Sequence, residues 1–440
     1  MAQRTIITSS FGTNCCHHYY HYWHESKARR TPSRMIQPSH ALKVSAMSAS
    51  SIKTVLPLSL VTGASMLAMD FYLPAVPNLQ ASFGIDVTLA QATIALFLAG
   101  LAASQLLWAE VLTRCGPRQS VTIGIWMLVA TSIACALAPT IGFLLLMRLL
   151  QGVAAGAALV VAPSVVRATL SDADAVRGVA TISMVEAIIP AAGPALGAAL
   201  LHYADWRATF WVIGGLTLLV LPFVVRVTPR ELPGLDRTVN ASYAAVLGTS
   251  KFRRLAASHA LSFGAMLACV ASAPQLLLNA LGLGPSAFSM LQLLGVASFI
   301  VGASQAGRIS KQLGIAGAIQ LGAWLQALLC AAMLALSFIV PLSFAGLAVF
   351  WCAFCGGLAI RGPATFSEVL ALPPAQMGRA SALLTLAVLV AGAVGTQVAA
   401  PFMDGRSIAP LMTVMLVACA ASLAVVLPYP RANDQTAPAV

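Results

Sequence analysis

The stretch AMDFYLPAVP, residues 68–77, places an aspartate inside the first long apolar run of the chain. A charged side chain within a membrane span costs at least about 2.5 kcal/mol, so it indicates a functional site. Pro74 and Pro77 follow closely, and a proline removes a backbone donor and ends or kinks a helix. The stretch therefore predicts a membrane helix that is interrupted beside a functional carboxylate, Asp70.

The composition of the whole chain is that of an integral membrane protein. Of its 440 residues, 59% are hydrophobic and 9% are charged, whereas about 25% are charged in soluble domains. The net charge of +12 would suggest a nucleic-acid partner for a soluble protein. Here the basic residues lie in short gaps between apolar runs and indicate topology. We therefore expect a lipid bilayer, and no nucleic acid, as a partner.

Twelve apolar segments, each near the length of about 20 residues that a bilayer requires, predict an all-α membrane protein. We predict them at 54–77, 88–108, 119–138, 141–165, 178–202, 208–227, 255–278, 286–306, 315–338, 342–366, 380–401 and 407–428, as spans 1 to 12. The longest gap, 228–253, divides them into two six-span halves, 51–227 and 254–430. Both TRCGPR (residues 113–118) and GRISKQLG (residues 307–314) place basic residues and glycine after the second span of a half. Two related six-span halves are typical of transporters.

The basic residues in the gaps also predict the orientation. Most of them lie on the side that holds the N-terminus, and only Arg207 and Arg406 lie on the other side. Because Lys and Arg are concentrated in cytoplasmic loops, we expect both termini and the 228–253 linker in the cytoplasm. Residues 1–50 are expected to be a disordered cytoplasmic tail, or translated sequence upstream of the true start, and 431–440 to be a second cytoplasmic tail.

Ionisable residues deep in the spans are few, and three of them are candidates for proton coupling: Asp70, Arg148 and Glu186. Asp70 and Arg148 are each about seven residues from the outer ends of spans 1 and 4, or roughly 10 Å deep, so a direct pair is expected. A carboxylate there can take up a proton when desolvated and release it when Arg148 or water approaches. The alternative is a fixed structural ion pair. Glu186, about eight residues into span 5, is either a second proton or cation site or an interfacial residue.

Other polar and aromatic residues receive weaker assignments. Gln151 is one helical turn from Arg148 and Tyr72 is close to Asp70, so both are predicted to contact substrate. Arg361 is placed near a span end, where its side chain can reach water. The remaining large aromatic residues mostly fall at span ends and are expected in interfacial belts; they are Phe71, Trp108, Trp206, Phe210 and Trp211.

The sequence shows no phosphate-binding loop, no metal-ligand set and no acidic catalytic cluster in an aqueous loop. We therefore expect neither an enzyme nor a cofactor. The loops are too short to hold an ATPase, so energy is expected from an ion gradient, with passive transport as the alternative.

Several motifs resemble the major facilitator superfamily, and within it the Bcr/CflA-type drug–proton antiporters. The resemblance covers roughly 54–428 and depends most on DFYLPAVP, residues 70–77. MRLLQGVAAGA (147–157), GPALGA (193–198) and DWRATFW (205–211) are similar to the family's motifs in span 4, in span 5 and at the turn into span 6. The resemblance implies conformational roles for the glycines and proline of these motifs, namely Gly152, Gly193, Pro194 and Gly197.

The family's turn after span 2 is altered in this chain. Arg114, Gly116 and Arg118 are present, but Thr113 stands where the family carries an aspartate, and Glu110 is offset from that position. In the family this turn helps to hold the two halves together during conformational exchange. The altered turn therefore puts transport in question.

The resemblance implies a proton-coupled exporter of small, partly apolar compounds, such as chloramphenicol-like drugs, across the inner membrane. We expect a monomer whose partners are a small-molecule substrate, protons and lipid. Three alternatives remain, namely a narrower metabolite exporter, a non-transporting membrane receptor or scaffold, and a multispan enzyme.

Overall fold

The computed structural model describes residues 48–232, 243–370, 374–402 and 407–427. Eleven helices among these residues are long and apolar enough to cross a membrane. In chain order the spanning segments are Ala49–Phe83, Val87–Cys115, Pro117–Ala136, Ile141–Thr169, Asp172–Leu201, Arg207–Val227, Ser250–Leu281, Pro285–Leu336, Phe344–Leu370, Pro374–Ala399 and Ala409–Val426. The expected tails at 1–50 and 431–440 fall outside the described residues, apart from the first residues of span 1.

The 52-residue helix Pro285–Leu336 accounts for the twelfth span. A straight helix of that length would extend about 78 Å, more than twice the hydrocarbon thickness of about 30 Å. Its backbone leaves the helical conformation at Gly314, with φ 72° and ψ 166°, so it comprises spans 8 and 9. Gly116, between spans 2 and 3, has φ 79° and ψ 166°. A positive φ favours glycine, and the two turns that resemble each other in sequence therefore share one backbone conformation.

Span 1 is interrupted where the prolines predict. An α-helix runs from Ala49 to Asp70, a 3₁₀ turn covers Leu73–Ala75, and a second helix, Val76–Phe83, completes the span. The predicted segment 54–77 is thus too short at both ends, because Ser48 caps the helix before the apolar run begins and helix resumes after Pro74. A short helix, Tyr243–Gly248, lies within the predicted linker and precedes span 7.

The two halves of the chain meet near one end of the bundle. We call the end where span 1 begins and span 6 ends the linker end, and the opposite end the far end. Gln80 Nε2 donates to Gln275 Oε1 at 2.6 Å, and Ser289 Oγ donates to the Pro194 carbonyl at 3.0 Å. Gln91 also approaches Ser272 at 3.5 Å. All of these contacts join the halves close to the far end, which is therefore closed.

The large aromatic side chains contradict part of the interfacial-belt prediction. Trp108 and Trp206 are buried, donating to the Val153 carbonyl at 2.7 Å and to Ser82 Oγ at 3.1 Å. Phe71 and Phe210 are also buried. Position at a span end does not decide exposure, because the inward face of each helix end still packs against its neighbours. Trp211 is exposed, as predicted.

Candidate functional site

Arg148 is fully buried and joins spans 1, 2 and 4 through hydrogen bonds. Its Nη1 donates to the Ala68 carbonyl of span 1 at 2.9 Å and to Gln151 Oε1 at 2.6 Å. Its Nε donates to the Thr93 carbonyl of span 2 at 3.3 Å, while Nη2 has no protein partner. The guanidinium thus holds three spans together and keeps one donor group unused.

Aromatic rings surround the same guanidinium. Its Cζ is 4.6 Å from the ring centroid of Tyr72, 4.4 Å from that of Phe97 and 5.7 Å from that of Phe210. Ring faces attract a cation, more strongly when water is excluded. Spans 1, 2 and 6 therefore supply a partial replacement for the hydration that Arg148 loses.

Asp70 is the last residue of the first helical segment and is 8% exposed. The predicted direct pair with Arg148 is not formed, since the described residues contain no ion pair or hydrogen bond to the Asp70 carboxylate. The physical reason is the helix break. A helix that ends within the membrane leaves carbonyls without intrahelical partners and carries partial negative charge at its C-terminus. Arg148 binds one of these carbonyls, that of Ala68, two residues before Asp70.

The span 5 motif brings a second helix against this break. A Cβ built on Gly193 would be 2.9 Å from Asp70 Cβ, and one on Gly197 would overlap the Phe71 carbonyl oxygen. Pro194, between them, accepts the hydrogen bond from Ser289 that connects the halves. This part of span 5 therefore packs against Asp70 and Phe71 through its two glycines and contacts the opposite half of the chain through Pro194.

Glu186 is on the same helix as Gly193, seven residues closer to the linker end. Seven residues are almost two helical turns, so both residues share one face about 10 Å apart. The helix begins at Asp172, capped by Ser171, so Glu186 is fourteen residues from the start of the helix, whereas it is about eight residues from the start of the predicted apolar run. It is partly buried, and its carboxylate has no partner among the described residues.

Gln151 and Tyr72, predicted to contact substrate, are both fully buried. Gln151 accepts from Arg148 and donates through Nε2 to Ser132 Oγ of span 3 at 2.8 Å. The Tyr72 hydroxyl is 3.0 Å from Thr93 Oγ1. In this conformation both residues position Arg148 and face no open space. Gly152 packs against the Phe97 backbone, where a Cβ would overlap the carbonyl oxygen.

The altered turn after span 2 is at the linker end, away from Asp70. Arg118 Nε donates to the Thr228 carbonyl at 2.8 Å, and Gly116 packs against the Arg230 carbonyl. Arg114 pairs with Glu110 at 2.5 Å on an exposed surface. The turn therefore contacts the end of span 6 despite the missing aspartate.

Sequence reasoning underestimated Arg361. Its helix continues past Pro363 to Leu370, and the side chain is fully buried, so it does not reach water as predicted. It binds hydroxyl groups of spans 7 and 12. The sequence does carry a signal for this burial, because the arginine follows a long run of small and apolar residues.

The described residues contain no cluster of three or more His, Cys, Asp or Glu that could hold a metal ion.

Comparisons with known proteins agree with this architecture. The family model described as Major Facilitator Superfamily matches residues 58–396. The uncharacterized MFS-type transporter YdgK of Bacillus subtilis (strain 168) is 26% identical over 337 residues, which cover 74% of this chain and 83% of YdgK. The multidrug resistance protein MdtL of Escherichia coli O157:H7 is 28% identical over 217 residues, covering 49% of this chain and 55% of MdtL.

Among solved structures, a bacterial homolog of the human lysosomal transporter Spinster, in an inward-facing and unoccupied conformation, matches with a TM-score of 0.65. The identity is 13%, and the match covers 87% of this chain and 95% of the homolog. At that identity the likeness shows the fold alone. Together with the family match over 58–396, it confirms the predicted fold class, and this multi-pass membrane protein belongs to the Major Facilitator Superfamily of transporters.

Proposed function

We propose that this chain is a proton-coupled exporter of small, partly apolar compounds, an antiporter of the Bcr/CflA type. The similarity to MdtL, a multidrug resistance protein, supports drugs as the substrate class. The observation that carries the proton assignment is Asp70, a buried carboxylate at the break in span 1 that has no ion-pair partner among the described residues. An unpaired buried charge is costly, so this carboxylate is suited to take up and release a proton during the transport cycle.

Arg148 provides the second part of the proposed mechanism. Its Nη2 group has no hydrogen-bond partner among the described residues. Its Nη1 donates to the carbonyl of Ala68, two residues before Asp70. A movement of the segment after Asp70 that brought the carboxylate to Nη2 would stabilise its charged form. Proton release would then accompany rearrangement of the span 1 break. Because Gly193 and Gly197 pack on this break, the rearrangement would also move span 5 relative to the opposite half.

Glu186 extends this arrangement towards the linker end. It shares a helix face with Gly193, which touches Asp70, and is about 10 Å away along span 5. Chains of acidic residues within a membrane are a common arrangement in proton relays. We propose that protons pass between Asp70 and the linker end by way of Glu186.

We also propose that the protein lies in the inner membrane with its linker end facing the cytoplasm, because most basic residues occupy that end. The closed far end would then give an inward-facing conformation. The contact between Arg118 and Thr228 supports transport over a receptor or scaffold role, since the turn after span 2 retains a structural partner.

Purified full-length protein in liposomes tests the proposal. With an imposed pH gradient, a chloramphenicol-like compound should move uphill against the proton flux, and a protonophore should abolish the accumulation. Accumulation that persists with the protonophore would exclude proton coupling. Well-folded protein that moves neither a drug panel nor a metabolite panel would favour the receptor or scaffold alternative.

A further inference from the structure

In the part of the chain that the structure describes, a second buried arginine, Arg361, is bound only by neutral groups. Its Nη1 donates to Ser262 at 2.5 Å, Ser422 at 3.0 Å and Gln326 Oε1 at 3.3 Å, and its Nη2 donates to Ser258 at 2.5 Å. These partners belong to spans 7, 9 and 12 around span 10. A guanidinium keeps its charge at all working pH values, so the centre of the C-terminal half holds a full positive charge among hydroxyl and amide groups.

No carboxylate compensates this charge in the described part of that half. Glu368 is the only acidic residue within 243–370, 374–402 and 407–427. It is two turns from Arg361, about 10 Å along the helix, and forms an ion pair with Lys251. A buried charge needs a partner to offset its desolvation, and the described residues do not provide one.

Two buried nitrogen atoms of this cluster have no hydrogen-bond partner among the described residues, namely Arg361 Nε and Gln326 Nε2. Both are obligate donors, and Gln326 contacts Arg361 directly. Buried donors without acceptors are rare in native proteins, and two such donors beside one uncompensated cation point to an acceptor with negative charge.

We propose that the cluster around Arg361 binds a small monovalent inorganic anion, for which chloride is the probe. A water molecule would accept hydrogen bonds but would leave the charge uncompensated. A small anion is favoured because Arg361 and Gln326 are fully buried and Gly322 packs against the arginine side chain. Bound chloride would stabilise the C-terminal half independently of the proton site at Asp70.

Thermal unfolding of the purified full-length protein tests this site. The midpoint is measured by tryptophan fluorescence in sodium chloride and in sodium gluconate at equal ionic strength. Chloride should raise the midpoint saturably by about 2 °C or more, as expected when a ligand binds only the native state, and bromide should act similarly. Equal midpoints in chloride and gluconate would overturn the proposal.

Variants locate the effect. Arg361→Gln should abolish the chloride-dependent shift, and Gln326→Leu should weaken chloride binding about tenfold through loss of a donor to a charged ligand. Arg254→Gln is the matched control, because Arg254 donates to the Val425 carbonyl outside the cluster, and it should keep the shift. If Arg361→Gln does not fold, Gln326→Leu decides, and an unchanged chloride affinity in that variant would contradict the site.

Discussion

The two halves of the chain each bury one arginine, and the surroundings of Arg148 and Arg361 differ. Arg148 binds backbone carbonyls at a helix break, one of them two residues before Asp70, and is covered by aromatic rings. Arg361 binds three serine hydroxyls and an amide. Carbonyls at a broken helix can exchange partners when the break rearranges, whereas the serines are fixed on continuous helices. We therefore expect the N-terminal half to contain the part that moves and the C-terminal half to contain a static support.

The strongest test of this contrast is Asp70→Asn, which keeps the shape of the side chain and removes its proton exchange. Uphill accumulation in liposomes should fall to a ratio of about one, because an uncoupled carrier only equilibrates its substrate. Asp86→Asn is the matched control. Asp86 caps span 2 by accepting from Leu89 N, a role that asparagine also fills. A well-folded Asp70→Asn protein that still pumps uphill would remove Asp70 from the mechanism and make Glu186 the next residue to test.

Substitution of each arginine by lysine distinguishes a role in proton-driven transport from a role in stability. Arg148→Lys keeps the charge but loses the planar set of donors, and we expect about a tenfold lower rate of proton-driven transport from the lost hydrogen bonds. Arg361→Lys should act mainly on the thermal midpoint. Transport rates and midpoints are measured on the same preparations, with Arg254→Lys as the control. Equal loss of transport per folded molecule in both variants would refute the division between a moving and a static half.

The fold could be predicted from the sequence, and the residues of the candidate site could be proposed from it, because apolar runs and the rare charges within them are local signals. The contacts of Asp70 and Arg148 were not. Electrostatics alone predicts that they pair, but the end of the helix at Asp70 leaves free carbonyls, and that of Ala68 binds the guanidinium. This competition appears only once the helices are packed.

The ends of the helices were predicted less well, for a related reason. Hydropathy marks the hydrocarbon portion of a span, whereas a helix ends where its caps and neighbours allow. Capped by Ser171, the helix of span 5 begins at Asp172, six residues before the predicted apolar run. Span 10 continues through Pro363 to Leu370, which buries Arg361. The sequence offers no signal for the serines that bind Arg361, since each is unremarkable within its own span.

The glycines of span 5 give a test of intermediate size. In Gly197→Ala the new methyl group would overlap the Phe71 carbonyl, and we expect a loss of about 1–3 kcal/mol in stability from overpacking together with lower transport per folded molecule. Gly395→Ala, in which the Cβ would be 2.5 Å from the Gly264 carbonyl, makes a similar clash in the C-terminal half and should lower mainly stability. Gly215→Ala has no atom within 4 Å and serves as the neutral control. Normal transport by folded Gly197→Ala would show that the packing of span 5 on the span 1 break is not needed for transport.

The smallest predicted effect concerns the hydroxyl of Tyr72. Tyr72→Phe removes the 3.0 Å contact with Thr93 Oγ1 but keeps the ring over Arg148, and Thr93 can still donate to the Ala90 carbonyl at 2.7 Å. We expect the free energy of unfolding to fall by about 0.5–1.5 kcal/mol and transport to stay nearly normal. Ser262→Ala in the C-terminal half removes a hydroxyl that contacts Arg361 directly, so its thermal midpoint should fall further. Tyr72→Leu removes the ring as well and should lower transport. If Tyr72→Phe is as damaging as Tyr72→Leu, the hydroxyl rather than the ring supports Arg148, and the two arginine sites are more alike than their contacts indicate.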